Sequence, residues 1–277
     1  MSKVWFITGC STGFGRNLAE ETLAQGERVA VTSRNTDDVK DIVERYPETA
    51  YAVKLDVTKE EEVADAVKKA MDKFGRIDVL VNNAGIGYFG AIEESEDKEV
   101  RRMFDINFFG LHAVTNAVLP ILRKQRSGHI VNISSVGGFV AFAGVGMYNA
   151  TKFAVMGYSE ALAKEVAEMG IKVTVVAPSG FRTDWAGRSA NNTSIVIEDY
   201  KSTAHANQDN IRGVSGNQPG DPERAAKAII KAVEAEDPPV RLFLGAGALK
   251  GARNKIEEVK ADIDTWEETT VWADNPK

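Results

Sequence analysis

Apolar residues along this chain follow two alternating patterns. Short runs rich in valine and isoleucine, such as KVWFIT at 3–8 and RVAVTS at 28–33, are typical of buried strands. Between such runs, apolar residues recur every three or four positions, as at Val63, Val67 and Ala70. That spacing is the period of a helix with one buried face. The pattern therefore predicts strands that alternate with helices.

Seven runs of the first kind predict strands at 3–8, 28–33, 51–57, 77–85, 128–135, 171–178 and 240–245. The second pattern predicts helices near 14–25, 36–45, 60–73, 97–118, 148–169 and after 222. Pro120 is expected to disturb the turn after residue 118. Strands and helices in this order form right-handed βαβ units. The predicted fold class is α/β: a single Rossmann-like, doubly wound domain over 1–277, with a mainly parallel seven-stranded sheet and helices on both faces.

Three stretches do not fit the alternation. Residues 184–220 lack a clear period, and we expect a substrate loop or lid there. Residues 246–277 are predicted to form a C-terminal helical segment and tail. The 22 residues between His129 and Lys152 carry no charge, but their asparagines, serines and glycines favour a strand, a glycine-rich loop and a helix start over a membrane span.

Composition narrows the class of protein. With 43% hydrophobic and 27% charged residues, the chain has the make-up of a globular domain. A net charge of −6 argues against a nucleic-acid-binding face and against electrostatic docking to anionic membranes. The single cysteine, Cys10, allows no intramolecular disulfide, and the apolar run at the N-terminus is too short for a signal peptide. We expect a cytoplasmic protein.

The first candidate site is TGCSTGFG at 8–15, between the first strand and the first helix. Glycines allow a ligand to approach the backbone closely, and a helix N-terminus attracts negative charge. The segment is therefore interpreted as a pyrophosphate cradle, and the alternative is an ordinary tight turn. The candidate cofactor-binding residues here are Gly9, Ser11, Gly13, Phe14 and Gly15.

The end of the second strand bears on the type of dinucleotide. Sites that prefer NAD place an acidic residue there to bind the ribose 2′-hydroxyl, whereas this chain has Ser33 and Arg34. Arginine can bind a 2′-phosphate in a bidentate way, which favours NADP(H) over NAD(H). Asp37 and Asp38 count in the other direction, and the alternative is that Arg34 is a solvated surface charge.

Further polar and small residues follow the third and fourth strands, at Asp56 and Val57 and at Asn83, Ala84 and Gly85. The carboxyl ends of parallel strands meet at one edge of the sheet, where open α/β folds bind ligands. We therefore assign these five residues to the cofactor site, although asparagine and glycine are also common in turns.

A third group follows the fifth strand. Tyr148 lies four residues before Lys152, so the two side chains share one helical face. Ser135 ends the preceding strand, and the glycine-rich link between them can bring the two hydroxyls together. The ammonium is expected to stabilise the phenolate and so lower the pKa of Tyr148 from its ordinary value near ~10. A tyrosine adjusted in this way could act as an acid near neutral pH.

TGCSTGFG, NNAG, the serine thirteen residues before YNATK, and the asparagine within FDINFFG together resemble the short-chain dehydrogenase/reductase family, in its compact single-domain branch. The resemblance covers about residues 3–183. It implies that Tyr148 is the acid/base, that Lys152 is its partner and a ribose binder, that Ser135 orients the carbonyl, and that Asn107 belongs to a water relay.

The same resemblance implies that Asp56 contacts the adenine end of the cofactor and Asn83 the ribose region. PSGFRT at 178–183 is similar to the family's Pro-Gly-x-x-x-Thr segment beside the nicotinamide, which adds Pro178, Gly180 and Thr183. It departs from that segment at Ser179, where glycine is usual. A homodimer or homotetramer formed through helices 97–118 and 148–169 is also implied.

Apolar residues near these motifs are candidates for the substrate wall. We assign this role to Phe139, Phe142, Phe181 and Trp185, and consider Val140, Ile195 and Ile197 as further wall or lid residues. Cys10, His112, His129 and His205 are interpreted as structural or surface residues, because no metal-ligand spacing is present.

The sequence thus predicts an NADP(H)-dependent oxidoreductase that interconverts a secondary alcohol and a ketone, or an alcohol and an aldehyde, on a small apolar substrate. One alternative is a non-catalytic NADP(H)-binding sensor of the same fold. Another is a reductase of 3-oxoacyl groups carried on an acyl carrier protein, although the acidic surface disfavours docking of an acidic partner.

Overall fold

The computed structural model describes residues 2–187 and 190–274. Within these residues, seven strands form one sheet in the order β3-β2-β1-β4-β6-β7-β9, and every neighbouring pair is parallel. The strands are β1 (Val4–Ile7), β2 (Arg28–Ser33), β3 (Ala50–Lys54), β4 (Val79–Asn82), β6 (Gly128–Ile133), β7 (Ile171–Pro178) and β9 (Arg241–Leu244). The predicted α/β fold with a parallel seven-stranded sheet is confirmed.

Helices cover both faces of this sheet, because alternate strand residues point to opposite sides. Trp5 and Ile7 pack with one set of helices, and Phe6 packs with the other. The first set contains α1 (Gly13–Ala24), α2 (Lys40–Arg45) and α8 (Pro222–Glu234). The second set contains α3 (Glu60–Phe74), α5 (Leu111–Gln125) and α6 (Gly146–Val166).

The order of strands reverses between β1 and β4. From β1 the chain winds outward through β2 and β3, and it then returns to continue from β4 toward β9 on the other side. At such a switch point the loops after the two central strands diverge and leave a crevice at the carboxyl edge. The topology therefore fixes where the ligand site lies.

The helix predicted at 97–118 is longer than expected. It consists of α4 (Asp97–Phe104), a π-helical turn at Asp105–Gly110 and α5, which continues through Pro120 to Gln125. The prediction that Pro120 disturbs the helix is wrong. The helix continues through it, and Val118 and Leu122 on either side are fully buried in the core. This run is long and apolar enough to span a membrane, but its apolar face forms part of the core.

The sequence predicts that 184–220 is irregular, but the structure shows that this stretch is largely folded. It contains β8 (Ala190–Asn192), a π-helical turn (Lys201–His205) and α7 (Ala206–Gly213). Strand β8 pairs in parallel with β5 (Gly87–Phe89), which the sequence pattern also missed. After the last strand, the chain forms α9 (Ala246–Trp272). Residues 188–189 of the predicted lid and 275–277 of the predicted tail lie outside the described residues.

Candidate active site

A cleft of about 1310 Å³ opens at the carboxyl edge of the sheet. Its lining comes from the β1–α1 loop, from the ends of the central strands, from the segment after β7 and from the start of α9. Most of the predicted cofactor residues line it: Gly9, Ser11, Gly13, Phe14, Ser33, Arg34, Asp56, Val57, Asn83, Ala84, Gly85, Lys152, Pro178, Gly180 and Thr183.

The glycine-rich loop is held against the end of β4 by hydrogen bonds. The side-chain amide of Asn83 donates to the carbonyl oxygens of Thr8 and Gly9, both at 2.9 Å. In return, the Thr8 hydroxyl accepts from the backbone N–H groups of Asn83 and Ala84, at 2.9 and 3.0 Å. The side chain of Asn83 therefore shapes the loop, and Thr8 is a contributor that sequence reasoning missed.

Two glycines are required for this loop. Gly9 has a φ of +71°, in the region that side chains disfavour. Gly15 does not line the cleft, but a Cβ there would lie 2.4 Å from the Gly9 carbonyl oxygen and from the Asn83 amide. Its role is close packing between the loop and β4, which brings the N-terminus of α1 to the cleft.

The far end of the cleft carries mixed charge. Arg34 is exposed and, among the described residues, makes no hydrogen bond or ion pair. Asp38 also lines the cleft, where its carboxylate accepts a hydrogen bond from the Ser33 hydroxyl at 3.3 Å. Asp56 accepts two hydrogen bonds from Thr58 through one carboxylate oxygen. Arg34 thus offers a free guanidinium, and an acidic group lies close by.

At the middle of the cleft, the structure brings the predicted catalytic side chains together. Tyr148 and Lys152 are only 7% and 5% exposed, although both line the cleft. The Lys152 ammonium lies 5.7 Å from the centre of the Tyr148 ring and donates a 2.9 Å hydrogen bond to the Ile133 carbonyl. Ser135 lies close enough to Tyr148 to lower the pKa of the phenol, and the Ser135 hydroxyl accepts from the Gly137 N–H at 3.0 Å.

Burial determines the proton affinity of this pair. It raises the pKa of Tyr148 above its ordinary value, and the nearby Ser135 hydroxyl offsets only part of the rise. Burial also lowers the pKa of Lys152 to about 8. The predicted lowering of the Tyr148 pKa is therefore wrong for the groups that the protein supplies. The cost of removing a phenolate from water exceeds the attraction of a cation at this distance.

Asn107, predicted as part of the catalytic set, does not line the cleft that contains Tyr148 and Lys152. It sits in the π-helical turn, where its side chain accepts from the Ile86 N–H at 2.8 Å and donates to the Ile86 carbonyl at 2.9 Å. It also donates to the Thr151 hydroxyl at 3.2 Å. A wide helical turn of this kind often marks a functional site. Here it connects the loop after β4 with α6.

The apolar wall differs in part from its prediction. Trp185 packs on the Tyr148 ring with a centroid distance of 4.8 Å and the rings tilted by 49°, and Phe142 also lines the cleft. Phe181 lines the cleft too, but its ring packs on Phe14 of the glycine-rich loop at 5.1 Å. Phe139 points away and packs on Phe243 at 5.3 Å, so its predicted contact with substrate is not supported.

Several residues in and near the predicted lid do not lie where the sequence predicts. Ile195 and Ile197 do not line the cleft, whereas Val140 does. His205, expected on the surface, is half-buried and donates a 2.8 Å hydrogen bond to the fully buried Glu94 carboxylate. Among the described residues, no cluster of side chains suits a metal ion.

Ser179 stands where glycine is usual in this segment, and two glycines after β9 leave room for its side chain. Its hydroxyl donates to the Leu244 carbonyl at 3.3 Å. A Cβ on Gly245 would lie 2.5 Å from that hydroxyl, and one on Gly247 would lie 3.3 Å from the Ser179 Cβ. Thr183 follows, where its hydroxyl accepts from the Trp185 N–H at 3.4 Å and begins the turn that carries Trp185.

Sequence reasoning missed the outer wall of the cleft. Lys250 and Asn254 of α9, Asn207 of α7 and Arg102 of α4 all line it. Because α9 follows the last strand of a parallel sheet, its N-terminus must lie at the carboxyl edge. The same rule that located Asp56 and Asn83 would therefore have located α9.

The inner wall fits a dinucleotide. A glycine-rich loop opens a helix at the sheet's switch point, which provides backbone N–H groups for a pyrophosphate. Arg34 and Asp56 follow β2 and β3 on one side of the switch point, and Lys152 is hydrogen-bonded to the end of β6 on the other side. A cofactor with a nucleoside at one end and a reactive ring at the other matches this arrangement.

Comparison with known proteins gives a consistent result. The family model described as short chain dehydrogenase matches residues 3–194. A curated relative, Oxidoreductase BOA17 of Botryotinia fuckeliana, is 40% identical over 272 residues, which cover 98% of this chain and 99% of the relative.

Solved structures agree in fold. A short-chain dehydrogenase from Streptomyces avermitilis is 40% identical, with a TM-score of 0.93 over 99% of this chain and 98% of the other. ElxO with NADP bound is 31% identical, with a TM-score of 0.74 over 90% of this chain and 100% of the other. A 3-ketoacyl-(acyl-carrier-protein) reductase from Brucella melitensis complexed with NADH is 27% identical, with a TM-score of 0.76 over 89% and 98% of the two chains.

Proposed function

Because the chain belongs to the short-chain dehydrogenase family of oxidoreductases, we propose that it interconverts an alcohol and a ketone or aldehyde with NADP(H). The observation that carries this proposal is the group formed by Tyr148, Lys152 and Ser135. The three side chains lie together at the carboxyl edge of the sheet, in a cleft whose inner wall fits a dinucleotide.

The residues of the site have separable roles in this reaction. A bound nicotinamide supplies hydride to the carbonyl carbon in reduction and accepts it in oxidation. The Ser135 hydroxyl is placed to hydrogen-bond the substrate oxygen, and Tyr148 donates a proton to that oxygen as it becomes an alkoxide. In the reverse direction, Tyr148 takes the proton from the alcohol.

Lys152 supports the proton transfer electrostatically. The Ile133 carbonyl fixes its ammonium 5.7 Å from the Tyr148 ring, where its charge stabilises the phenolate that forms during reduction. Since burial raises the pKa of Tyr148, the phenol keeps its proton at neutral pH until an alkoxide forms. That property suits a proton donor.

The proposed preference for NADP(H) rests on Arg34. Its guanidinium is exposed at the end of β2, lines the cleft and is free to bind a 2′-phosphate. Ser33 presents a hydroxyl where NAD-preferring sites carry a carboxylate. The Asp38 carboxylate nearby accepts a hydrogen bond from Ser33, which reduces its capacity to bind a ribose hydroxyl.

The wall around Tyr148 supports an apolar small-molecule substrate. Trp185 covers the Tyr148 ring, and Val140, Phe142, Val145 and Ile211 line the same region. Burying apolar substrate surface against these side chains contributes about 25 cal/mol for each Å² removed from water. Polar side chains such as Asn207 and Asn254 line the outer part.

The replacement Tyr148→Phe tests the proposed reaction. The variant keeps the ring and its contact with Trp185 but loses the proton donor, so kcat is expected to fall by about 10²–10⁴-fold. NADPH binding, followed by the change in nucleotide fluorescence, is expected to stay unchanged. Turnover is measured as NADPH oxidation across a panel of apolar ketones and aldehydes.

Tyr158→Phe is the matched control, because Tyr158 lies on the same helix and packs on Phe108 outside the cleft. It should retain the wild-type rate. A Tyr148→Phe variant that reduces ketones at the wild-type rate would refute the assignment. A wild-type protein that binds NADPH but oxidises it with no member of the panel would favour the sensor alternative.

A further inference from the structure

The second half of α9 extends from the body of the protein. Ala248 and Ala252 are buried, whereas every residue from Ile256 to Asp274 is exposed. At 1.5 Å per residue, the helical part of this arm, which ends at Trp272, is about 25 Å long. A helix without packing partners is marginal in water, because most helical stability in proteins comes from burial of one face.

The arm nevertheless carries an apolar seam. Apolar residues recur at intervals of three, four and three positions, at Ile256, Val259, Ile263 and Trp266. These intervals are the heptad spacing of a coiled coil. The four residues are between 42% and 62% exposed. Thr270 continues the spacing. An exposed apolar seam with this spacing can pack against a second helix.

Charge along the helix identifies the partner. The part at 246–256 contains three basic residues and no acidic one: Lys250, Arg253 and Lys255. The part at 257–272 contains Lys260 and six acidic residues: Glu257, Glu258, Asp262, Asp264, Glu267 and Glu268. Two such helices attract each other when they run in opposite directions, because the basic part of each then faces the acidic part of the other.

We propose that this arm pairs antiparallel with the same arm of a second copy of this chain. The seam is then continuous, with Ile256 opposite Trp266 of the second copy and Val259 opposite Ile263. The residues that flank the seam at one side are Arg253, Lys260 and Glu267, so Arg253 faces Glu267 of the second copy at both ends. At the centre, Lys260 and Asp262 each face the same residue of the second copy, which opposes these two attractive contacts. A parallel pair is less favourable, because it places Lys255 beside Lys260 and Asp262 beside Glu267 on both sides, which gives four repulsive contacts and no attractive one.

Single cysteines report the direction of pairing. The native Cys10 is buried, and burial raises the pKa of its thiol to about 12, so it contributes little background. In an antiparallel pair, the two Lys260 positions are separated by only about 3 Å along the helix axis, and the two Ile256 positions by about 15 Å. A parallel pair brings the two Ile256 positions face to face. Ala261 lies on the outer face in both arrangements.

Mild oxidation of the full-length K260C, I256C and A261C proteins is followed by non-reducing electrophoresis. K260C is expected to give about tenfold more cross-linked dimer than the other two, because a disulfide needs closely spaced Cα atoms. More dimer from I256C would overturn the antiparallel arrangement. Equal, low yields from all three would overturn pairing of the arm altogether.

Ile263→Glu gives a second measurement that does not depend on oxidation. The Ile263 side chain is exposed, so the fold and NADPH binding should persist in the variant. Sedimentation velocity should show a smaller oligomer than that of the wild type. Thr265→Glu, on the outer face, adds the same charge and should leave assembly unchanged. Copies that also associate through other surfaces do not affect the cross-linking result.

The principal alternative occupant is a lipid surface, since the arm bears exposed tryptophans. Vesicles of zwitterionic phosphatidylcholine test it. The acidic half disfavours anionic membranes, and we expect no co-sedimentation of the wild-type protein with these vesicles. Co-sedimentation that Ile263→Glu abolishes, together with an unchanged assembly state, would overturn the proposal.

Discussion

Burial is the largest influence on the pKa of four side chains in this protein, and in each case it favours the neutral form. Burial raises the pKa of Tyr148 and raises that of Cys10 to about 12, whereas it lowers that of Lys152 to about 8 and that of His129 to about 4. The residue types were predictable from the sequence. The direction of the shift was not, because it depends on how much water the completed fold leaves around each group.

His129 makes this effect measurable in the stability of the protein. Its Nε2 lies 2.9 Å from the Thr174 hydroxyl, which itself donates to the Pro239 carbonyl, so Nε2 must carry the proton. In the unfolded chain this histidine is charged below a pH of about 6.5, whereas in the folded protein it stays neutral down to a pH of about 4. The stability contributed by neutral His129 is therefore present above pH 6.5 and lost as the pH falls toward 4.

We expect this loss to be about 3 kcal/mol, from the size of the pKa difference. His129→Gln retains a donor to Thr174 but does not titrate. Its free energy of unfolding in urea should therefore fall less than that of the wild type between pH 7 and pH 4, by about that amount. His112→Gln, which changes an exposed histidine, should follow the wild type. Identical pH profiles for wild type and His129→Gln would refute the argument.

At the scale of elements, the sequence pattern located the seven strands of the main sheet and the helices between them. Long apolar runs and a helical period are local signals, so they can be recognised without the fold. Strands β5 and β8 have only three residues each, too few for a pattern, and they form because they meet in the folded chain. The π-helical turn at Asn107 likewise depends on its contacts with Ile86 and Thr151.

Glu94 shows how the folded part of 184–220 is attached. Its fully buried carboxylate accepts hydrogen bonds from the Ala91 N–H at 2.9 Å, the Ile197 N–H at 2.7 Å and His205. Burial alone would raise the pKa of Glu94, but these hydrogen bonds outweigh it and lower the pKa. The carboxylate therefore joins the loop after β5 to the segment that carries α7.

Glu94→Gln retains the shape of this side chain and removes its charge. The loss of charge-assisted hydrogen bonds should free the segment at 195–213, and limited proteolysis there should be about tenfold faster, equivalent to about 1.4 kcal/mol. Glu93→Gln is the control, since Glu93 is exposed and accepts a single hydrogen bond from Tyr200. Equal protease resistance of wild type and Glu94→Gln would contradict this role.

At the scale of the whole molecule, the cleft joins parts of the chain that are far apart in sequence. Its lining begins at Gly9, includes Tyr148 and ends at Asn254. The parallel topology made the inner wall predictable, because it places the ends of the strands at one edge. The outer wall comes from α7 and α9. The same topology places the N-terminus of α9 at this edge, whereas α7 reaches the cleft only through tertiary packing. A ligand in this cleft therefore stabilises the fold as a unit.

Thermal unfolding with and without cofactor tests both this coupling and the role of Arg34. NADPH at about 100 times its Kd adds about 2.7 kcal/mol to the free energy of unfolding, which for a chain of this size raises Tm by about 5 °C or more. Arg34→Asp should remove most of the rise with NADPH, because a carboxylate repels a 2′-phosphate, and should spare the smaller rise with NADH. Lys40→Asp makes the same change of charge at an exposed residue outside the cleft lining and should behave as wild type. If Arg34→Asp reduced both rises equally, or if NADH stabilised the wild type more than NADPH at equal concentration, the preference for NADP(H) would be wrong.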